Sequence, residues 1–160
     1  MKNNITKQNV IEIIELLKKR NQTITFAESC TGGRIAGEFT AISGVSSVLN
    51  GSVVSYANKI KSQWLGVAEK TLIEHGAVSS QCVEEMLRGV VKMVEANHAI
   101  AVSGIAGPTG GTEEKPVGTV YIGVMVDGKI SVKHCFFEGD RGSIQDQATD
   151  DAIAILKNKI

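Results

Sequence analysis

A serine hydroxyl is a weak nucleophile until a base takes its proton. One stretch of this chain carries the parts for that chemistry without a histidine. Residues 44–61, GVSSVLNGSVVSYANKIK, hold Ser46 and Ser47 in a small-residue turn, Tyr56 at the end of an apolar, β-branched segment, and Lys61 just beyond it. A lysine serves as the base when burial or a neighbouring cation lowers its pKa, and a tyrosine can relay the proton. Ser, Tyr and Lys are also common surface residues, so on spacing alone a solvated turn and a reactive constellation both stand.

Other residues compete for the same role or complement it. The segment ESCTGG at 28–33 lies between a β-branched run and a helical pattern. A strand, a small-residue turn and a helix start form either an anion site, built from the free N–H groups of the first turn, or a simple Ser/Thr cap. Cys30 in that turn is either a thiol with a lowered pKa or a small buried residue. The loop GIAGPTGGTEEKPVG at 104–118 holds five glycines (104, 107, 110, 111 and 118) and two prolines, and a loop of that length in a compact domain is more often functional than not. It matches neither a Walker A nor a GxGxxG pattern. Arg141 is either a bidentate phosphate ligand or a solvated residue ahead of a helix. His75, His98 and His134 lie outside every glycine-rich turn, so a Ser-His-Asp triad is not indicated. No HExxH, HxH or clustered Asp pattern points to a catalytic metal.

The elements that must position these groups alternate. Helical periodicity is expected over 5–20, with Val10, Ile13, Ile14 and Leu17 on one face, then a strand over 23–27 and a helix through Ile35, Phe39 and Ile42. A strand over 51–56 follows, then short helices at 59–65 and 69–75. Next comes a long helix capped by Ser79 or Ser80, with an apolar stripe of Val83, Met86, Leu87, Val90, Val91 and Val94. The continuous apolar run 98–103 reads as a central strand. Residues 119–126 and 130–137 read as a hairpin around Asp127-Gly128, and a last helix carries Ile144, Ala148, Ala152, Ile155 and Leu156. The whole predicts an α/β fold: a single domain over 1–160, a three-layer α/β/α sandwich with a mixed sheet of about five strands. The glycine-rich turns at 29–33, 44–47 and 104–111 are expected to meet at one sheet edge.

Composition narrows the class. Lys+Arg and Asp+Glu are both 17, so no basic field recruits nucleic acid. Three unpaired cysteines, Cys30, Cys82 and Cys135, argue against a disulfide framework and fit a reducing cytoplasm. The N-terminal stretch is charged throughout, unlike a signal peptide, and no run approaches the ~18 apolar residues of a membrane span.

Five segments together, TFAESCTGG from Thr25, the 44–61 stretch, EHGAVS at 74–79, AVSGIAGPTGGTEEKPVGTV at 101–120 and FEGDR from Phe137, closely resemble the CinA C-terminal domain family. They are most similar to its stand-alone members, the nicotinamide mononucleotide amidohydrolases. The resemblance implies a Ser-Lys-Tyr amidase of pyridine nucleotide recycling, with Ser46 as nucleophile and Tyr56 and Lys61 of the Y-x-N-x-x-K pattern as partner and base. Ser47 and Ser29 remain alternative nucleophiles. Glu28, Ser29, Thr31, Gly32, Ser103, Gly104 and Arg141 match substrate-binding positions, with the 28–33 turn and Arg141 placed for the phosphate and Glu28 facing the pyridinium. It further implies no metal or organic cofactor, a nucleotide substrate as the small-molecule partner, and a homodimer or larger assembly. Two alternatives remain: a non-catalytic nucleotide-binding module in competence or DNA-damage responses, and an amidase for another carboxamide.

Overall fold

The computed structural model describes residues 4–160. The first helix, α1 (Asn4–Arg20), buries Val10, Ile13, Ile14 and Leu17 and ends in Lys18, Lys19 and Arg20, where cations suit the helix dipole. β1 (Ile24–Glu28) is buried at every position, as a strand with helices on both sides must be. α2 (Arg34–Thr40) and a 3₁₀ turn (Val45–Ser47) precede β2 (Val53–Val54). The helices α3 (Asn58–Leu65), α4 (Glu69–Glu74) and α5 (Ser80–Val94) follow, and Ser79 caps α5 by accepting the Cys82 N–H. The chain finishes with β3 (His98–Gly104), the hairpin β4 (Thr119–Val126) and β5 (Lys129–Phe136), and α6 (Arg141–Lys159).

The strands form one sheet in the order β2-β1-β3-β4-β5. β1 runs parallel to β2 and β3, and β4 runs antiparallel to β3 and β5. The sheet is therefore mixed, with a hydrophobic core on each face. One face packs Phe26, Ile100, Ile122 and Val124 against α1, α2 and α6. The other presents Ala27, Ala99 and Ala101 to α5. Small residues on that face let α5 approach: a Cβ on Gly123 would lie 2.5 Å from a Val83 methyl and 2.8 Å from a Leu87 methyl. The three-layer sandwich expected from the alternation of elements is the fold found.

Two expectations are corrected. β2 spans two residues rather than 51–56, because the flanking peptides bond elsewhere. The Gly51 carbonyl accepts the Thr25 hydroxyl, and the carbonyls of Ser55 and Tyr56 accept the Lys61 ammonium or amine. The three glycine-rich turns also do not share an edge. The 29–33 and 104–111 turns both follow the C-terminal ends of parallel strands. The 44–47 turn sits at the opposite end, where Ile24 N donates to the Val48 carbonyl and Leu49 pairs with Ile24.

Candidate active-site cleft

Parallel β1 and β3 deliver their C-terminal residues side by side. Ser29 is fixed there by its own N–H, which donates to the Val102 carbonyl at 3.1 Å. β3 contributes Ser103 and Gly104 alongside. Between this edge, the first turn of α3 and the 105–111 loop lies a cleft of about 240 Å³, lined by Ser29, Tyr56, Lys61, Ser103, Thr109 and Arg141 among others.

Lys61 projects from α3 into the base of the cleft and is 1% exposed. Its Nζ lies 3.1 Å from the Ser29 Oγ, 3.1 Å from the Ser55 carbonyl and 3.1 Å from the Tyr56 carbonyl. No Asp or Glu opposes it among the described residues, and burial lowers its pKa from the usual 10.5. The thiols of Cys82 and Cys30 would raise it only as thiolates. Burial pushes those two up to about 11 and about 12, so both stay protonated. A neutral amine has two N–H donors and one lone pair. Two carbonyls can only accept, so the lone pair is left facing the Ser29 hydroxyl, the one partner able to donate.

The matching family model, the CinA C-terminal domain, covers residues 6–160. This chain belongs to that family. A CinA-like protein of Fervidobacterium nodosum is 49% identical over 92% of this chain, and one of Thermotoga maritima is 45% identical over 91%. The chain spans only 36% and 35% of those two relatives, about a third of their length. The crystal structure of the competence damage-inducible protein A from Klebsiella pneumoniae superposes with a TM-score of 0.93 at 37% identity, covering 98% of this chain and 97% of that one. A competence/damage inducible protein from Agrobacterium tumefaciens gives 0.94 at 35% identity, covering 98% and 96%.

Within this CinA domain the expected site residues divide. Lys61, Tyr56, Ser29, Ser103, Gly104 and Arg141 come together in the cleft. Ser46 and Ser47 do not. They are exposed in the 3₁₀ turn before Leu49, level with the start of β1, whereas Ser29 follows its end. At about 3.3 Å per residue, the length of β1 alone separates them by more than ~13 Å. Tyr56 is 60% exposed, and its hydroxyl accepts from Arg141 Nη2 at 2.7 Å. Its carbonyl, not its phenol, touches Lys61.

Glu28 is fully buried and points away from the cleft. Its carboxylate accepts the Thr31 hydroxyl and the N–H groups of Gly33, Ile35 and Ala36 at 2.7 to 3.2 Å. The anion at the start of α2 is thus supplied by the protein itself. The N–H groups of Gly33, Ile35 and Ala36 therefore face the Glu28 carboxylate, and Glu28, Thr31 and Gly32 are not among the residues that line the cleft. Cys30, beside Ser29, is the buried thiol of the two readings.

Other cleft groups escaped the sequence reading. Asn58 enters the sequence pattern only as the asparagine of Y-x-N-x-x-K. Ala77 and Val78, from the turn between α4 and α5, reach the cleft through tertiary packing and carry no chemical signal of their own. Behind the cleft wall, Gln145, one turn into α6, donates to the Cys30 carbonyl at 2.9 Å. A glutamine at a core-facing helical position was its only trace. Among the described residues, no group of three or more His, Cys, Asp or Glu converges as a metal site would, and no helix is long and apolar enough to cross a membrane.

Proposed function

We propose that this CinA domain is an amidohydrolase that converts nicotinamide mononucleotide to nicotinate mononucleotide and ammonia through a seryl ester, with Ser29 as nucleophile and Lys61 as base. The observation that carries this reading is the 3.1 Å contact between Ser29 Oγ and a buried Lys61 Nζ that has no carboxylate partner among the described residues. Ser29 Oγ attacks the carboxamide carbon while its proton passes to Lys61 Nζ. The carbonyl electrons move onto oxygen, and the N–H of Cys30, the residue after the nucleophile, is the donor assigned to that oxyanion. Such a donor contributes roughly 3–4 kcal/mol where it has been removed. Collapse expels the amide nitrogen, which takes the proton from Lys61 and leaves as ammonia. Water then attacks the ester, Lys61 takes its proton, and the nicotinate leaves as that proton returns to Ser29 Oγ. Arg141, at the rim, exchanges its contacts with the Gly107 carbonyl and the Tyr56 hydroxyl for the substrate phosphate.

The test is ammonia release from nicotinamide mononucleotide. Ser29→Ala and Lys61→Ala are expected to lose activity at least about a thousand-fold, and Ser46→Ala to keep it. Loss in Ser46→Ala with activity kept in Ser29→Ala would overturn the assignment. A second reading, a nucleotide-binding module without catalysis, draws on the name of a 43% identical relative from Thermoanaerobacter pseudethanolicus, a putative competence-damage inducible protein. Nucleotide binding by the wild-type chain without ammonia release would favour it.

A further inference from the structure

The 105–118 loop forms one wall of the cleft, and two of its glycines are pressed onto its own returning segment at Val117. A Cβ on Gly107 would lie 2.4 Å from a Val117 methyl, and one on Gly111 would lie 2.7 Å from the Val117 N. Residues 105–111 and 115–117 therefore form one packed unit. At its tip, Thr112 N donates to the Lys115 carbonyl and Lys115 N donates to the Thr112 hydroxyl, both at 2.9 Å. This turn sends the Lys115 side chain inward, away from its neighbours Glu113 and Glu114. Its Nζ donates at 2.6 Å to the His75 carbonyl and at 2.6 Å to the Val78 carbonyl. The first sits at the C-terminal end of α4, where carbonyls are left without helical donors. The second belongs to a residue that lines the cleft.

We infer that Lys115 is a positioning residue for substrate binding: its ammonium staples the glycine-rich wall to the α4–α5 turn and so sets the width of the cleft. Hydrogen bonds from a charged donor are about twice as strong as neutral ones. Ser29 and Lys61 are held by other contacts, the Val102 carbonyl and the carbonyls of Ser55 and Tyr56, so the staple acts on the walls and leaves the reacting pair in place. The inference deepens the amidohydrolase reading and rests on it for its kinetic arm.

The experiment has two arms. In the first, hydrogen exchange of the free protein is compared between wild type and Lys115→Met. Faster exchange is expected in both 105–118 and 75–79, with 24–30 and 58–65 unchanged. Unaltered exchange in those two segments would overturn the inference whatever the activity. In the second, ammonia release is expected to show KM raised about ten-fold, the size of one charge-assisted contact. The kcat is expected to change less than about three-fold, and the pH profile not at all. Lys115→Arg, which still offers donors to both carbonyls, is expected to recover most of the KM. A fall in kcat alone, or a lower melting temperature with KM unchanged in Lys115→Met, would overturn it. A wild-type chain that releases no ammonia counts against the amidohydrolase reading, and the exchange arm still decides the staple.

Discussion

At the scale of single residues, Lys61 has the most to explain. Burial lowers its pKa, so the form able to take a proton is present at lower pH than for a free lysine. Under the proposed mechanism, kcat/KM rises with pH through that depressed value, and a pH–rate profile of the free enzyme reads it directly. Lys61→Arg keeps a cation but no base, because guanidinium does not give up its proton; no rising limb and no turnover are expected. Stability has the same sign. Between the depressed pKa and 10.5 the unfolded chain binds a proton that the folded chain refuses, so stability rises with pH across that window. Denaturant titrations of Lys61→Met at several pH values should lose that slope. Glu28 gives a sharper number. Its carboxylate serves four donors, and Glu28→Gln turns an amide N–H₂ toward some of them. A loss of about 2–3 kcal/mol in denaturant unfolding is expected. Lys61, Tyr56, Ser103, Gly104 and Arg141 could all be placed near the site from motif alone. Ser46 could not be told apart from Ser29 by motif, because the decisive fact is register: the pairing of Leu49 with Ile24 sets the 44–47 turn at the start of β1, while Ser29 follows its end. Register is a long-range property that side-chain types near Ser46 do not encode.

At the scale of elements, the periodic helices and the β4–β5 hairpin were legible because each satisfies its pattern locally. β2 was not, since the peptides flanking it bond side chains, Thr25 of β1 on one side and Lys61 of α3 on the other. α5 shows how contact outweighs propensity. Replacing a helical glycine by alanine gains up to about 1 kcal/mol of propensity. At Gly89, however, the new Cβ would lie 1.8 Å from the Leu65 carbonyl oxygen at the end of α3, a backbone atom that cannot rotate away. Overpacking of this kind costs about 1–3 kcal/mol or more, so Gly89→Ala is expected to lower the melting temperature. It should also weaken the site, because α3 is the element that carries Lys61.

At the scale of the whole molecule, both ends of the sheet contain buried titratable groups, Lys61 at the cleft and His98 at the far end. His98 is fully buried, with Nε2 2.9 Å from the Gln22 side-chain oxygen and Nδ1 accepting the Asp127 N–H at 3.3 Å. Burial lowers its pKa, outweighing Asp127, which pulls it up; Arg20 adds to the lowering. The unfolded chain thus takes up this proton first. The His98 contribution to stability rises with pH from the depressed value to about 6.5 and is level above it, and His98→Gln should flatten that segment in denaturant titrations. The cleft has the wider reach. It gathers Ser29 from the first strand, Lys61 from the third helix, the loop after β3 and Arg141 from the start of the last helix, and Gln145 ties that helix back to Cys30 across 115 positions. No partial chain contains the ingredients of a half-built cavity. Occupancy is therefore coupled to global unfolding instead of to one mobile flap: a ligand at a hundred times its dissociation constant should protect the molecule as a unit by about 2.7 kcal/mol, slowing exchange of the deepest amides of β1 and β3 as much as those at the rim.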